Sequence, residues 1–188
     1  VTQLPAYVFF EKDDLEEVAL SNSLRTIYQH AFIGCDGLKG IIIPENVYQI
    51  DQYAFLGCSS LETVLIKGQL TSLGGMIFYD CTSLKIVEFA EGITRLTDRM
   101  FGNCVSLETI TLPASIERIE AQIFEGCTNL KTVYVKATTP PVMSYWVFAD
   151  NEHNNLNCKI YVPVESVEKY KEASNWKTYA GQIEGYNF

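Results

Sequence analysis

The sequence predicts an α/β solenoid, mostly β, in which short strands lie on stacked coils and a C-terminal helix closes the pile. Three observations predict it. Phe32, Phe55, Phe78, Phe101 and Phe124 recur every 23 residues, and Cys35, Cys58, Cys81, Cys104, Cys127 and Leu38, Leu61, Leu84, Leu107, Leu130 keep that period without a slip. A fixed period of about twenty to fifty residues means supersecondary units that cannot bury an apolar face alone and so stack on one another. Downstream of each leucine, apolar residues alternate with variable ones, as in a short strand with one buried face. Finally, the residue after each leucine reads Glu16, Lys39, Glu62, Lys85, Glu108, Lys131. Such alternation turns repulsion into attraction only where these positions are stacked neighbours.

The elements follow in chain order. Phe9 stands 23 residues before Phe32, and Leu15, Val18 and Leu20 match the later leucine and strand positions, so a coil precedes the first cysteine, with Lys12 in its place. Each coil then contributes a strand, on Ile41 and Ile43, Val64 and Ile66, Val87 and Phe89, Ile110 and Leu112, Val133 and Val135. A second apolar pair recurs as Leu24 and Ile27, Val47 and Ile50, Leu70 and Leu73, Ile93 and Leu96, Ile116 and Ile119. Its spacing fits an extended segment or one turn of helix; the β-branched bias and the corner prolines Pro44 and Pro113 favour the extended form. Gly34, Gly57, Asp80, Asn103 and Gly126 precede the cysteines and are of the types that tolerate positive φ, so a left-handed residue is expected at each return turn.

The period fails after Val135, since Phe148 comes 24 residues after Phe124. Asp150 to Asn157 is a polar loop whose carboxylates and amides lack the alternating ligand pattern of a calcium loop, so a solvated insertion is expected. From Val164, the residues Val167, Tyr170 and Ala173 continue at helical spacing, with Glu165 and Glu168 early and Lys169 and Lys171 late, a charge order that suits the helix dipole. That helix, with Trp176 and Tyr179, is expected to cover the end of the core. The amino end shows no comparable cap, and the chain starts at Val1, so further coils or another domain are expected upstream.

Composition bounds the function. The 188 residues are 47% hydrophobic with 12 Gly and 6 Pro, which suits one continuous domain over 1–188, with repeats over about 9–136 and a cap over about 137–188. A net charge of -9 and the lack of a basic stripe exclude nucleic acid as the expected partner. No apolar stretch approaches the roughly 20 residues of a membrane-spanning helix.

The run Ala31-Phe32-Ile33-Gly34-Cys35, then Leu38, Ile41, Ile43 and Pro44, resembles the BspA-like class of leucine-rich repeats, over about Phe9 to Val135. The tail, with Ala137 to Pro141, Lys159 to Pro163 and Glu165 to Lys171, also resembles the usual terminus of such proteins. The departures are Ile77, Met100 and Ile123 in place of the family's alanine, and Gly74-Gly75 inside the third cysteine-bearing unit. The resemblance implies a leucine-rich-repeat solenoid and a bacterial protein, surface-displayed or secreted. It also implies adhesion, with contacts to host matrix proteins, host cells or other microbes.

Among the six cysteines, adjacent ladder positions lie within disulfide reach of one another, so distance alone leaves a bridge open. An odd column of parallel side chains cannot pair off completely and does not converge on a metal, so reduced, buried structural thiols are expected, with Cys158 in the cap. Neither His30 nor His153 belongs to a nucleophile, phosphate-loop or zinc motif, so no enzyme activity, cofactor or metal is expected. The outward strand positions remain as candidates for binding. Ile42, Leu65 and Ile86 form an expected apolar patch on the early coils. Thr109, Thr111, Thr132, Tyr134 and Tyr161 form a second zone of hydroxyls and aromatics suited to protein or glycan contacts. The alternative reading is ordinary strand composition, and with it a spacer or assembly module of a larger surface protein.

Overall fold

The computed structural model describes residues 1–149 and 157–188. The repeats stack as parallel coils. Gly40–Ile43, Thr63–Ile66 and Ile86–Phe89 form one parallel ladder, and Thr109–Leu112, Thr132–Val135, Lys159–Pro163 and Ile183–Tyr186 form a second. The register is that of the repeat, with Ile41 opposite Val64, Val64 opposite Val87, and Ile110 opposite Val133.

The second apolar pair is extended, as expected, in two-residue strands at Thr26–Ile27, Gln49–Ile50, Ser72–Leu73, Arg95–Leu96 and Arg118–Ile119. On these two sides a backbone N–H donates to the preceding coil, as Lys39 does to Glu16 and Tyr48 to Arg25. The phenylalanine side donates the other way, Phe32 to Ala54 and Gly34 to Leu56 in the following coil. Every side of the coil is therefore tied to a neighbour, which is how short strands survive without long ladders.

The phenylalanines form the spine of the core. Ring centroids are 4.9 Å apart for Phe9 and Phe32 and 4.8 Å for Phe32 and Phe55. They then spread to 5.2 Å at Phe78, 5.7 Å at Phe101 and 6.0 Å at Phe124. The widening begins where Ala31 and Ala54 give way to Ile77, Met100 and Ile123, all fully buried. The bulkier side chains beside the rings go with a wider ring spacing, while the coils stay tied, Gly34 N donating to Leu56 O and Asp80 N to Gly102 O at the same 2.9 Å. Gly74, the other departure, is required by a close approach: a Cβ there would lie 2.0 Å from the Gln52 backbone nitrogen.

Both sides of each phenylalanine from Phe32 to Phe124 are left-handed. Gly34, Gly57, Asp80, Asn103 and Gly126 have φ from 57 to 72°, as expected. A second column two residues before each ring, Tyr7, His30, Tyr53, Met76, Arg99, Gln122 and Trp146, has φ from 49 to 61° although none is glycine. Sequence gave no hint of that column.

Two expectations need correction. The amino-terminal coil has Leu15, Val18 and Leu20 packed on the core but no strand at that level. Among the described residues it pairs with one neighbouring coil, through Gln3–Leu4 on Thr26–Ile27. Beyond the exact period the stacking continues, in keeping with the outward strand position expected of Tyr161. Phe148 still stacks on Phe124 at 5.6 Å, Val142–Met143 pairs with Arg118–Ile119, and Lys159–Pro163 with Thr132–Val135. The helix is shorter than its apolar spacing suggests, because Val164–Ser166 is a 3-10 turn, Val164 is exposed, and the α-helix covers only Val167–Glu172.

The cap works as expected. Trp176 and Tyr179 pack on Phe148 at ring distances of 6.2 and 5.2 Å. Tyr170 Oη donates to Ala137 O at 2.7 Å and Trp176 Nε1 to Pro141 O at 2.8 Å, so the polar tips of these buried rings satisfy carbonyls at the end of the stack.

Candidate functional site

The candidate site is the solvent side of the four-residue strands, where alternate residues turn outward while their neighbours fill the core. Ile41 and Ile43 are buried and Ile42 is 49% exposed. Ile86 is equally exposed, whereas Leu65 is only half-buried. Register places Ile42 opposite Leu65, and Ile86 opposite Thr63, so Ile86 lies diagonal to Leu65 rather than in its column. The early patch is therefore two exposed isoleucines bridged by a sheltered leucine. A concavity of about 520 Å³ adjoins it, lined by Val18, Leu20, Ile42, Pro44, Glu45 and Lys67 among others.

The later zone is more built. Thr109 pairs with Thr132, and Thr111 with Tyr134, which in turn pairs with Tyr161. The rings of Tyr134 and Tyr161 are stacked at 5.2 Å. Two aromatics that the sequence reading passed over complete the group. Tyr186 meets Tyr134 edge-on at 5.0 Å and Tyr161 at 5.7 Å, and Phe188 lies 6.2 Å from Tyr134 and 5.0 Å from Tyr186. The available signal was the alternation Glu184, Tyr186, Phe188 after the buried Ile183, which reads as one more strand of the same face. A concavity of about 530 Å³ opens there between Thr111, Tyr134, Lys136, Tyr186, Asn187 and Phe188.

The charges beside the face are arranged in pairs rather than in one continuous ladder. Glu16 meets Lys39 at 2.6 Å, Glu62 meets Lys85 at 3.1 Å and Glu108 meets Lys131 at 2.9 Å, while Lys159 pairs with Glu184. The hydrogen bond from Lys39 holds the Glu16 carboxyl below its ordinary value and raises Lys39 in return. These groups are solvated, so they set register more than they add stability.

All six cysteines are free and buried. Each ladder Sγ donates to the phenylalanine carbonyl of the preceding coil, Cys35 to Phe9 and Cys58 to Phe32 at 3.0 Å, Cys81 to Phe55 at 3.2 Å. Burial pushes the thiols of Cys81, Cys104, Cys127 and Cys158 up, Cys127 to about 12 and Cys158 to about 11, so they are held as neutral thiols rather than as nucleophilic thiolates. His30 is enclosed between the rings of Tyr7 at 4.8 Å and Tyr53 at 5.1 Å, with its Nδ1 buried and unpartnered. The polar loop at 150–157 and His153 lie outside the described residues, apart from Asn157. No helix among the described residues is long and apolar enough to cross a membrane.

Comparison with known proteins agrees with this geometry. The family model for the BspA type leucine rich repeat region matches residues 2–134 in six copies. Among solved structures, a Treponema pallidum leucine-rich repeat protein superposes with a TM-score of 0.60 at 23% identity, covering 67% of this chain and 69% of that one. A leucine-rich cell surface protein from Faecalibacterium prausnitzii aligns at 21% identity with a TM-score of 0.42, over 96% of this chain and 60% of that one. The pneumococcal vaccine antigen PcpA aligns at 13% identity with a TM-score of 0.47, over 100% of this chain and 64% of that one. No curated protein matches the chain.

Proposed function

The chain belongs to the BspA-type leucine-rich repeat family, and from that premise we propose that it is a noncatalytic recognition domain which binds protein or glycan partners through its strand face. We read residues 1–188 as one domain, with the cap from about 137 onward sharing the core of the coils, and place it at the cell surface or in secretion, contacting host matrix, host cells or other microbes. One observation carries the reading. The outward strand positions hold Ile42, Ile86 and the aromatic cluster of Tyr134, Tyr161 and Tyr186, which Phe188 joins from just past the last strand, although the core is complete without them. Contiguous apolar and aromatic residues left outside a finished core mark surfaces that bind. The noncatalytic part of the reading is supported by how the reactive side chains are used, the thiols donating to core carbonyls and His30 sitting between two tyrosine rings.

The test is a binding screen against matrix proteins and glycans, comparing the parent chain with Ile42→Glu, Leu65→Glu and Tyr134→Ala. Variants that keep their circular dichroism yet lose a partner by about tenfold or more, ~1.4 kcal/mol, support recognition by this face. Folded variants that keep every partner leave the face as spacer surface.

A further inference from the structure

We propose that the hollow beside Tyr134 is a subsite for a carboxylated pyranose, a uronic or sialic acid unit of a glycan. This inference rests on the strand-face reading above and narrows it. Tyr134 is stacked on Tyr161, its neighbour on the carboxy-terminal side. Its other face is turned toward Thr111, the partner on the opposite side, and it is on this side that the hollow opens. Tyr186 and Phe188 lie 5.0 and 6.2 Å from Tyr134 with their ring planes steeply inclined to it, and both line the hollow. An aromatic face with converging polar groups is the arrangement that accepts the apolar face of a sugar ring and its hydroxyls. Thr111 and Asn187 supply a hydroxyl and an amide for those hydroxyls.

The charge selects the acidic sugar. Lys136 is exposed on the rim, on the same face as Tyr134, and enters none of the ion pairs among the described residues, whereas Lys131 and Lys159 nearby are each engaged by a glutamate. An unengaged ammonium beside an aromatic wall favours a carboxylate over a neutral substituent. On a chain of net charge -9 it is a local exception.

The experiment titrates the full chain with glucuronic acid, N-acetylneuraminic acid, glucose and galactose, reading saturation-transfer NMR and calorimetry. The expected result is binding of one or both acids in the millimolar range, about tenfold tighter than the neutral sugars. Lys136→Glu, an exposed change that leaves the thermal midpoint in place, abolishes that preference. Tyr134→Ala weakens binding by about tenfold and Tyr134→Phe, which keeps the ring, does not. Equal binding of acidic and neutral sugars, or an acid titration unchanged by Lys136→Glu, overturns the proposal. If protein partners bind in the screen above while no acidic sugar does, the subsite falls and the strand-face reading stands; if neither binds, both fall.

Discussion

At the scale of single residues, the carbonyl of each ladder phenylalanine explains why cysteine recurs. Phe32 O accepts the N–H of Cys35 within its own coil at 3.2 Å and the S–H of Cys58 from the next coil at 3.0 Å. A small apolar side chain with one weak donor fits that place, since it fills core volume and also occupies the carbonyl's second lone pair. The same burial makes stability depend on pH. The thiols are raised from an ordinary 9.0, Cys158 to about 11 and Cys127 to about 12, and Cys81 and Cys104 are raised chiefly by burial. In the unfolded chain these thiols lose their protons near pH 9, while the folded chain keeps them, so the native state binds more protons there and stability falls as pH rises. The contribution is intact below pH 9 and is lost across roughly pH 9 to 12. Urea midpoints should be flat from pH 7 to about 8.5 and fall steeply above, and Cys127→Ala should reduce the slope. A midpoint indifferent to pH over that range would contradict buried neutral thiols. The Phe, Cys and Leu columns were legible in sequence because each position admits one side chain. The left-handed column at Tyr7, His30, Tyr53, Met76, Arg99, Gln122 and Trp146 was not, because inter-coil hydrogen bonds impose it on residues that carry no glycine signature.

At the scale of elements, legibility follows the constancy of neighbours. Strands flanked on both sides by copies of themselves, such as Thr63–Ile66, lie where their alternation puts them. At the ends the neighbour changes and pattern reading loses its footing: the amino-terminal coil keeps the short strand Gln3–Leu4 but has none at Val18 and Leu20, and Ile183–Tyr186 adds one that was read only as part of a cap. The candidate site shares that fate, since Tyr134 and Tyr161 were visible in the repeat column but Tyr186 and Phe188 joined them from outside the period. The cap itself can be tested. Trp176 is fully buried, lies 4.8 Å from Tyr170 and 6.2 Å from Phe148, and donates to Pro141 O. Trp176→Ala should cost about 3 to 5 kcal/mol, because it opens a cavity and strands the Pro141 carbonyl together. Trp176→Phe should cost less. The loss should be local first, so hydrogen exchange should quicken in Val142–Met143 and Lys159–Pro163 before it does at Thr63–Ile66. Uniform acceleration along the stack would mean that the cap does not act on the end coil.

At the scale of the whole molecule, the repeat makes the chain nearly one-dimensional, with each coil supported mainly by its two neighbours. Deletion of residues 47–69, one period of 23, joins Asn46 to Leu70 and restores every core column, with Phe32 on Phe78 and Cys35 beneath Cys81. Gly74 then faces Gln29 in place of Gln52, the same residue type. The shortened chain should therefore fold. The surface charges, however, repeat every second coil, and this deletion removes Glu62 and brings Lys39 against Lys85. Removal of two periods, residues 47–92, instead sets Lys39 against Glu108 and keeps opposite signs in contact. Like charges that face each other across adjacent strands destabilise, and salt screens them over about 10 Å at 0.1 M and about 3 Å at 1 M. The one-coil deletion should thus melt at a temperature that rises with added sodium chloride, and Lys85→Gln in that background, which removes the like charge without setting a second carboxylate against Glu108, should remove most of the salt dependence. The two-coil deletion should lack it from the start, at some cost in overall stability from the shorter core. Thermal melts followed by circular dichroism in low and high salt distinguish these outcomes. A one-coil deletion that fails to fold in any salt would show that the coils are not interchangeable, and one that folds with no salt response would reduce the alternating charges to decoration.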